Sequence, residues 1–391
     1  MQSIPSHFCG VAQAQGNAAV LPKILPASIS GCRNVAGSAG DMVTFRGRGD
    51  ILRYSTGWWV TGGQAKINIC LRSIQQKCAN DFSTQCRRVM STPSSPYKII
   101  VTGATSMIGH FVLPRLLDAG YEVHAISRTY GGNPNMTYID ATDKGMFWHQ
   151  VDISHAEQLP RVNAQMLIHL APLWLLPPLL PVMNSLQIKR VIGFGSTSLF
   201  SKANSADAGE RQLVARFAEV EEAISRFCEP LKISWTVFRP TLVYDCVRDK
   251  NITLIARFIQ RFGFFPLLGK AAGLRQPVYA DDLAAACLMA LNQPATFDKA
   301  YNMSGGETLS YRQMVERIFC SLGKPIRFLV IPSWLFRWAI HIITLLPGKR
   351  HMTPEMAIRM NVDLCFDHAD ATRDFGFLPR MFFPCWQDSQ K

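Results

Sequence analysis

Residues 98–109 read KIIVTGATSMIG, and this stretch decides the fold. Lys98-Ile-Ile-Val-Thr102 is a short, nearly continuous apolar run, the pattern of a parallel strand covered on both faces. It enters a glycine-bearing turn and then a helix in which Ile108, Val112 and Leu116 share one face. Gly120 stands where that helix stops, and Glu122-Val-His-Ala-Ile-Ser127 reads as a second strand. A glycine pattern carries meaning only inside such a strand, turn, helix and strand unit.

The spacing implies a dinucleotide-binding turn. Gly103 allows the tight turn and Gly109 lets the helix pack closely. Between them Thr105, Ser106, Met107 and Ile108 lead into a helix start whose free amides and dipole suit a diphosphate. Ser106 occupies the place of a second glycine, so a side chain narrows the approach. The second strand ends in Ser127-Arg128, where an acidic residue would otherwise meet a ribose 2′-hydroxyl. A guanidinium pairs with a 2′-phosphate, so NADP is favoured over NAD; the bland alternative is a solvated arginine. Gln150-Val-Asp152 closes a third strand, and Asp152 can accept from the adenine amino group. Residues 165–170 form a fourth strand, with Leu170 and Ala171 on the nicotinamide side and His169 in the core.

Composition limits the alternatives. The chain has 391 residues, a net charge of +13, 48% hydrophobic residues and 11 cysteines. That is enough apolar material for a large core, and it excludes a disordered or collagen-like chain. Ten Lys/Arg against three Asp fall in residues 1–89, leaving a net of +6 for the rest. The basicity therefore belongs mainly to that segment, and nucleic acid is not an expected partner. Residues 1–95 read as a leader or as an extension preceding a translation start at Met90, with a small extra domain as the third alternative. The expected location is cytoplasmic, or mitochondrial if residues 1–89 are a transit segment. No CxxC pair or zinc spacing occurs, so reduced thiols and no metal are expected.

Several later stretches add up to a family pattern: Val191–Phe200 (VIGFGSTSLF), 238–244 (FRPTLVY), 277–286 (PVYADDLAAA) and 301–315 (YNMSGGETLSYRQMV). With TGATSMIG at 102–109, their order resembles the extended and atypical short-chain dehydrogenase/reductases, in particular nucleoside-diphosphate-sugar epimerases of the NAD-dependent epimerase/dehydratase family. The resemblance spans about 95–385. It implies an α/β fold, a doubly wound parallel-sheet Rossmann domain at 96–385, with a smaller C-terminal substrate lobe from about 245–275 and 305–385. It further implies that Arg239, Pro240 and Thr241 follow the sixth strand near the nicotinamide, and that Asp281 and Asp282 open a helix as caps. Active members of that family carry a Tyr-x-x-x-Lys pair on a helix, where the ammonium lowers the phenol pKa. The corresponding stretch here, 207–227 (DAGERQLVARFAEVEEAISRF), has neither residue. By register Val214 and Ala218 stand in those places, and Phe200 replaces a tyrosine after the serine-rich turn.

Candidate proton donors are then Ser196, Thr197, Ser198, Lys202 and Tyr244. The expected function is an NAD(P)-binding epimerase, dehydratase or reductase acting on a nucleotide sugar or related carbonyl compound. The alternative is a non-catalytic NADPH-binding sensor or a structural subunit of a larger complex. In the lobe, residues 251–262 read as an amphipathic helix, 264–268 as an apolar loop and 310–322 as a helix. Residues 328–332 then lead to an apolar helix at 334–346 (WLFRWAIHIITLL). That helix reads as a pocket wall or homodimer contact ahead of a membrane-surface element. Arg373 and Arg380 are candidates for a phosphorylated substrate or for plain solvation.

Overall fold

In the computed structural model, the described residues are 97–129, 145–203, 205, 207–332 and 359–386, with the backbone of 43–46 and 51–54. The chain divides into two units, Met1–Asp81 and Phe82–Lys391. In the first unit, β1 (Val43–Arg46) and β2 (Ile51–Tyr54) pair antiparallel, Val43 opposite Tyr54. The proposed helix at 334–346 lies outside the described residues.

The second unit is built on seven strands: β3 (Lys98–Thr102), β4 (Glu122–Ser127), β5 (Met146–Gln150), β6 (Met166–His169), β7 (Arg190–Phe194), β8 (Ser234–Pro240) and β13 (Lys299–Met303). They form one sheet in the order β13-β8-β7-β6-β3-β4-β5, and every pairing is parallel. The apolar run of β3 serves both faces. Ile99 and Val101 enter one core with Val112 and Leu116 of α1 (Gly109–Asp118), while Ile100 enters the other with Leu167 and Val191. Period-two alternation delivers this without a polar residue in between. Val112 and Leu116 are fully buried, which contributes about 2 kcal/mol each.

Strand order reverses at β3, whose neighbours are β4 and β6. In open α/β sheets the crevice beyond the carboxyl ends of such a pair is the ligand position. The α/β doubly wound fold expected from the sequence is therefore present.

Two four-residue helices, α2 (Leu180–Met183) and α3 (Ser198–Ser201), precede the long α4 (Ala208–Cys228). The Asp207 carboxylate caps α4 by accepting from Gly209 N and Glu210 N. A third core joins Ile252, Ile255 and Ile259 of α5 (Ile252–Phe262) to Met314, Val315 and Ile318 of α7 (Tyr311–Ser321), with Phe382 from the C-terminal strap. Helix α6 (Ala280–Leu291) lies between those two in the chain. Ser310 starts α7 with a reciprocal capping box to Gln313.

The apolar loop expected at 264–268 is instead a strand, β10 (Phe265–Leu268), paired in parallel with β15 (Phe328–Ile331); two shorter pairs join β9 (Val243–Tyr244) to β12 (Val278–Tyr279) and β11 (Leu274–Arg275) to β14 (Leu309–Ser310). The Pro266 ring pointed to a loop, yet proline is tolerated in a two-stranded edge pair.

Candidate functional site

The turn between β3 and α1 makes the crevice. Gly103 has φ +67°, a left-handed conformation that only glycine takes without strain. A Cβ there would stand 2.5 Å from the Ala171 backbone nitrogen, so the ends of β3 and β6 meet closely. A Cβ on Gly109 would lie 2.2 Å from the Ala104 carbonyl oxygen, so the tight contact is within the turn itself. Ser106 N–H donates to Gly103 O at 2.9 Å. The Ser106 hydroxyl accepts from Gly109 N–H at 3.1 Å. The amides of Thr105, Met107 and Ile108 carry no hydrogen bond among the described residues. Free amides at a helix start, over a crevice at the switch point, fit the diphosphate of a dinucleotide.

Arg128 is exposed at the end of β4, and its carbonyl accepts from the Gln150 side-chain amide at 3.2 Å. Asp152 is exposed just past β5, where its carboxylate accepts from Ser154 N–H at 3.0 Å. That hydrogen bond, with help from the Arg128 charge, holds Asp152 below the usual carboxylate range. Leu170 and Ala171 follow β6 and abut Gly103. His169 is wholly buried: Nδ1 accepts from the Thr102 hydroxyl at 2.8 Å and Nε2 donates to Pro172 O at 3.2 Å. Burial pushes its pKa down to about 4, so it is a neutral core residue.

Beside the turn lies a cleft of about 470 Å³. Its walls include Met107, Ser196, Ser198, Lys202, Thr241 and Arg275. Of the candidate donors, Ser196 and Ser198 lie on the cleft wall beside each other. Ser196 Oγ donates to Ser198 Oγ at 3.0 Å and also accepts from Ser198 N–H. Thr197 is buried, its hydroxyl spent on Pro240 O at 3.1 Å.

The other two do not reach the cleft as free donors. Lys202 pairs with Glu210 at 3.1 Å. Glu210 also accepts from Arg359 and from Ser205 Oγ. Burial alone would raise that carboxyl, but the bonds from Arg359, Ser205 and Lys202 hold it at about 2. Tyr244 is 1% exposed, with Phe382 at 5.0 Å between ring centroids and its hydroxyl accepting from Phe383 N–H. Burial holds that phenol far above its ordinary pKa. Tyr244 is thus a core residue, because β9 (Val243–Tyr244) turns it toward the lobe.

Helix α4 shows which positions face inward. Val214 is buried, and Ala218, one turn further on, is exposed. Glu221, absent from the sequence expectations, ties α4 to the end of β8. It binds the Arg239 guanidinium through Nε at 3.0 Å and through Nη2, while the guanidinium lies over the Phe200 ring at 5.3 Å. Arg239 is therefore committed to α4, whereas Thr241 alone of its trio lines the cleft. Pro240 ends β8 and offers its carbonyl to Thr197.

Asp281 and Asp282 are ion-pair partners instead of caps. Asp281 takes Arg115 and Arg380, and Asp282 takes Arg380 Nε at 2.7 Å and its N–H at 2.9 Å. The helix start is capped by neither. Arg380 thus pins the C-terminal strap. Arg373 pairs on the surface with Asp370 and Asp374. Glu210, Glu221 and Arg359 had no signal in the sequence, since ordinary charged residues on a long helix and a remote loop look solvated until the fold joins them. Among the described residues no three His, Cys, Asp or Glu side chains converge as for a metal ion.

Comparison with known proteins agrees with this geometry. Residues 99–173 match the sequence model of the NAD dependent epimerase/dehydratase family. Over 129 residues the chain is 26% identical to NADH dehydrogenase (ubiquinone) 1 alpha subcomplex subunit 9, mitochondrial, of Arabidopsis thaliana, covering 33% of this chain. The match spans 31% of that relative's length. Among solved structures, UDP-glucose 4-epimerase of Thermotoga maritima aligns with a TM-score of 0.54 at 17% identity, covering 72% of this chain and 93% of that one. An epimerase of Methanothermobacter thermautotrophicus gives 0.58 at 13% identity, over 78% and 92%. A dTDP-glucose 4,6-dehydratase of Streptomyces venezuelae, solved with NAD, gives 0.55 at 20% identity, over 73% and 93%. At these identities the structures speak to fold alone. Residues 99–173 thus match the NAD dependent epimerase/dehydratase family, within a chain that shares the fold of the solved epimerases and dehydratases.

Proposed function

We propose that the protein binds NADP(H) above β3 and β6 and holds it as a fixed ligand, serving as a binding or structural component of a larger assembly. The observation that carries this reading is α4, which holds neither a tyrosine nor a lysine over Ala208–Cys228 and whose Glu210 and Glu221 are each locked to a cation. Losing a positioned acid/base costs a factor of about a hundred to ten thousand. Tyr244 cannot substitute, because its hydroxyl is buried away from the cleft. The free amides of Met107 and Ile108 would hold the diphosphate, and Arg128 would meet the 2′-phosphate. A bound nicotinamide supplies hydride chemistry; the residues here bind and orient it. The 129-residue likeness to a subunit of NADH dehydrogenase supports membership in an assembly.

The test is calorimetry of the full chain with NADPH and NADH, then absorbance of the reduced coenzyme with a panel of nucleotide sugars. Heat with NADPH and no turnover is the expected result. Turnover above the uncatalysed rate overturns the non-catalytic role.

A second reading rests on the cleft. Its volume of about 470 Å³, with Ser196, Ser198 and cations on its walls, suits an anionic carbonyl substrate such as a nucleotide sugar. If turnover is found, it should vanish in the Ser196→Ala, Ser198→Ala double variant.

A further inference from the structure

The described residues expose thirteen large apolar side chains, and five of them lie at one corner of the lobe, on or just before α5 and β15, which β10 joins. Leu254 and Phe262 stand out from α5, exposed at 55% and 52%. Ile326, Leu329 and Val330 lie in and just before β15, the last two exposed at 53% and 50%. These elements are continuous. Phe258 links Phe262 (4.6 Å between centroids) to Phe265 of β10 (5.7 Å). Phe265 in turn pairs with Phe328 of β15. Leu329 and Val330 point to opposite faces and are both exposed, and the outer edge of β15 has no strand partner among the described residues.

Exposed cations ring this corner: Arg257 and Arg261 on α5, Lys324 and Arg327 before β15. Arg261 lies over the Phe262 ring at 5.5 Å, and Arg312 over Phe328 at 4.8 Å. No Asp or Glu occurs in 250–275 or in 322–354. An apolar patch rimmed by one sign of charge marks an interaction surface.

We propose that this corner docks on the surface of an anionic phospholipid bilayer, its Phe and Leu side chains entering the interface while Arg257, Arg261, Lys324 and Arg327 hold headgroup phosphates. Two features favour lipid over a second copy of the chain. A two-fold contact would set these four cations against themselves, with no carboxylate on the same elements to relieve them. Aromatic and aliphatic side chains beside Lys/Arg are also the composition of interfacial membrane segments. Among the described residues no helix is long and apolar enough to cross a membrane. This proposal is independent of dinucleotide binding.

The experiment is flotation of the full chain with vesicles of phosphatidylcholine alone and with phosphatidylglycerol, at low and high salt. Wild type should bind the anionic vesicles and release as salt rises. Each surface cation is worth about fivefold. The Arg257→Glu, Arg261→Glu double variant should therefore lose at least ~20-fold in affinity, while its thermal midpoint and NADPH binding stay unchanged. Phe262→Ser with Leu329→Ser should weaken what salt does not remove. Absence of wild-type binding, or equal binding by the charge-reversed variant, overturns the proposal. So does a concentration-dependent dimer that the same substitutions dissolve, because the corner is then an interface between copies.

Discussion

The hydroxyl of Ser106 accepts the backbone N–H of Gly109 at 3.1 Å. A side chain thus occupies one of the amides that a diphosphate would use, and it stands where a glycine gives the closest approach. Removing it changes two things in opposite directions. Ser106→Gly loses a helix-start hydrogen bond, costing up to about 1 kcal/mol of stability, and uncovers one more donor. NADPH should bind about three- to tenfold more tightly while the thermal midpoint falls, read by calorimetry and by thermal unfolding. Weaker binding would mean that the hydroxyl donates to the ligand instead of competing with it.

Arg128 stands exposed at the end of β4, and no ion pair engages it among the described residues. A guanidinium there recognises a 2′-phosphate and does little for a 2′-hydroxyl. Arg128→Asp should weaken NADPH by about tenfold or more, since a charge-assisted contact is worth about 1.5–3 kcal/mol, and should leave NADH nearly unaffected. Equal losses for the two coenzymes, measured by titration of the same preparation, would remove the argument.

Asp282 shows how the strap is fastened. Its side chain is only 9% exposed and accepts both the N–H and Nε of Arg380. Breaking a largely buried pair leaves a charge without a partner. Because Arg380 keeps partial access to water and Asp281 remains beside it, Asp282→Ala should cost about 2 kcal/mol, less than a fully buried pair. Denaturant unfolding should show the loss, and NADPH binding should persist in the folded protein. A change in midpoint too small to measure would mean that the strap is held by Phe382 alone.

The legibility of this chain in its sequence follows from range. The limits of β3 and β4, the face shared by Val112 and Leu116, and the helix 252–262 were readable because hydrophobic period and glycine placement are local. Asp281 and Asp282 looked like caps because two carboxylates at a helix start have that local meaning. Their partners, Arg115 and Arg380, sit 166 and 98 residues away. Tyr244 looked like a donor because hydroxyl chemistry is visible in sequence and burial by Phe382 is not. The pair Glu221–Arg239 was invisible for the same reason: eighteen residues apart, each alone looks like a solvated charge.

His169 gives a pH test of the sheet's centre. Its ring is fully buried between Thr102 and the Pro172 carbonyl, and burial lowers its pKa to about 4 from 6.5. The neutral form is therefore favoured by folding, and the unfolded chain takes up the proton first. Stability from this group is complete above about pH 6.5 and declines as pH falls toward 4, because ν is larger in the unfolded state across that window. The 2.5-unit difference corresponds to about 3 kcal/mol at most. Denaturant midpoints measured from pH 7.5 to 4.5 should fall, and a His169→Gln variant, which keeps a donor for Pro172 and cannot protonate, should show a shallower decline. If the variant follows the same slope as wild type, other groups set the acid limb and the buried imidazole carries none of it.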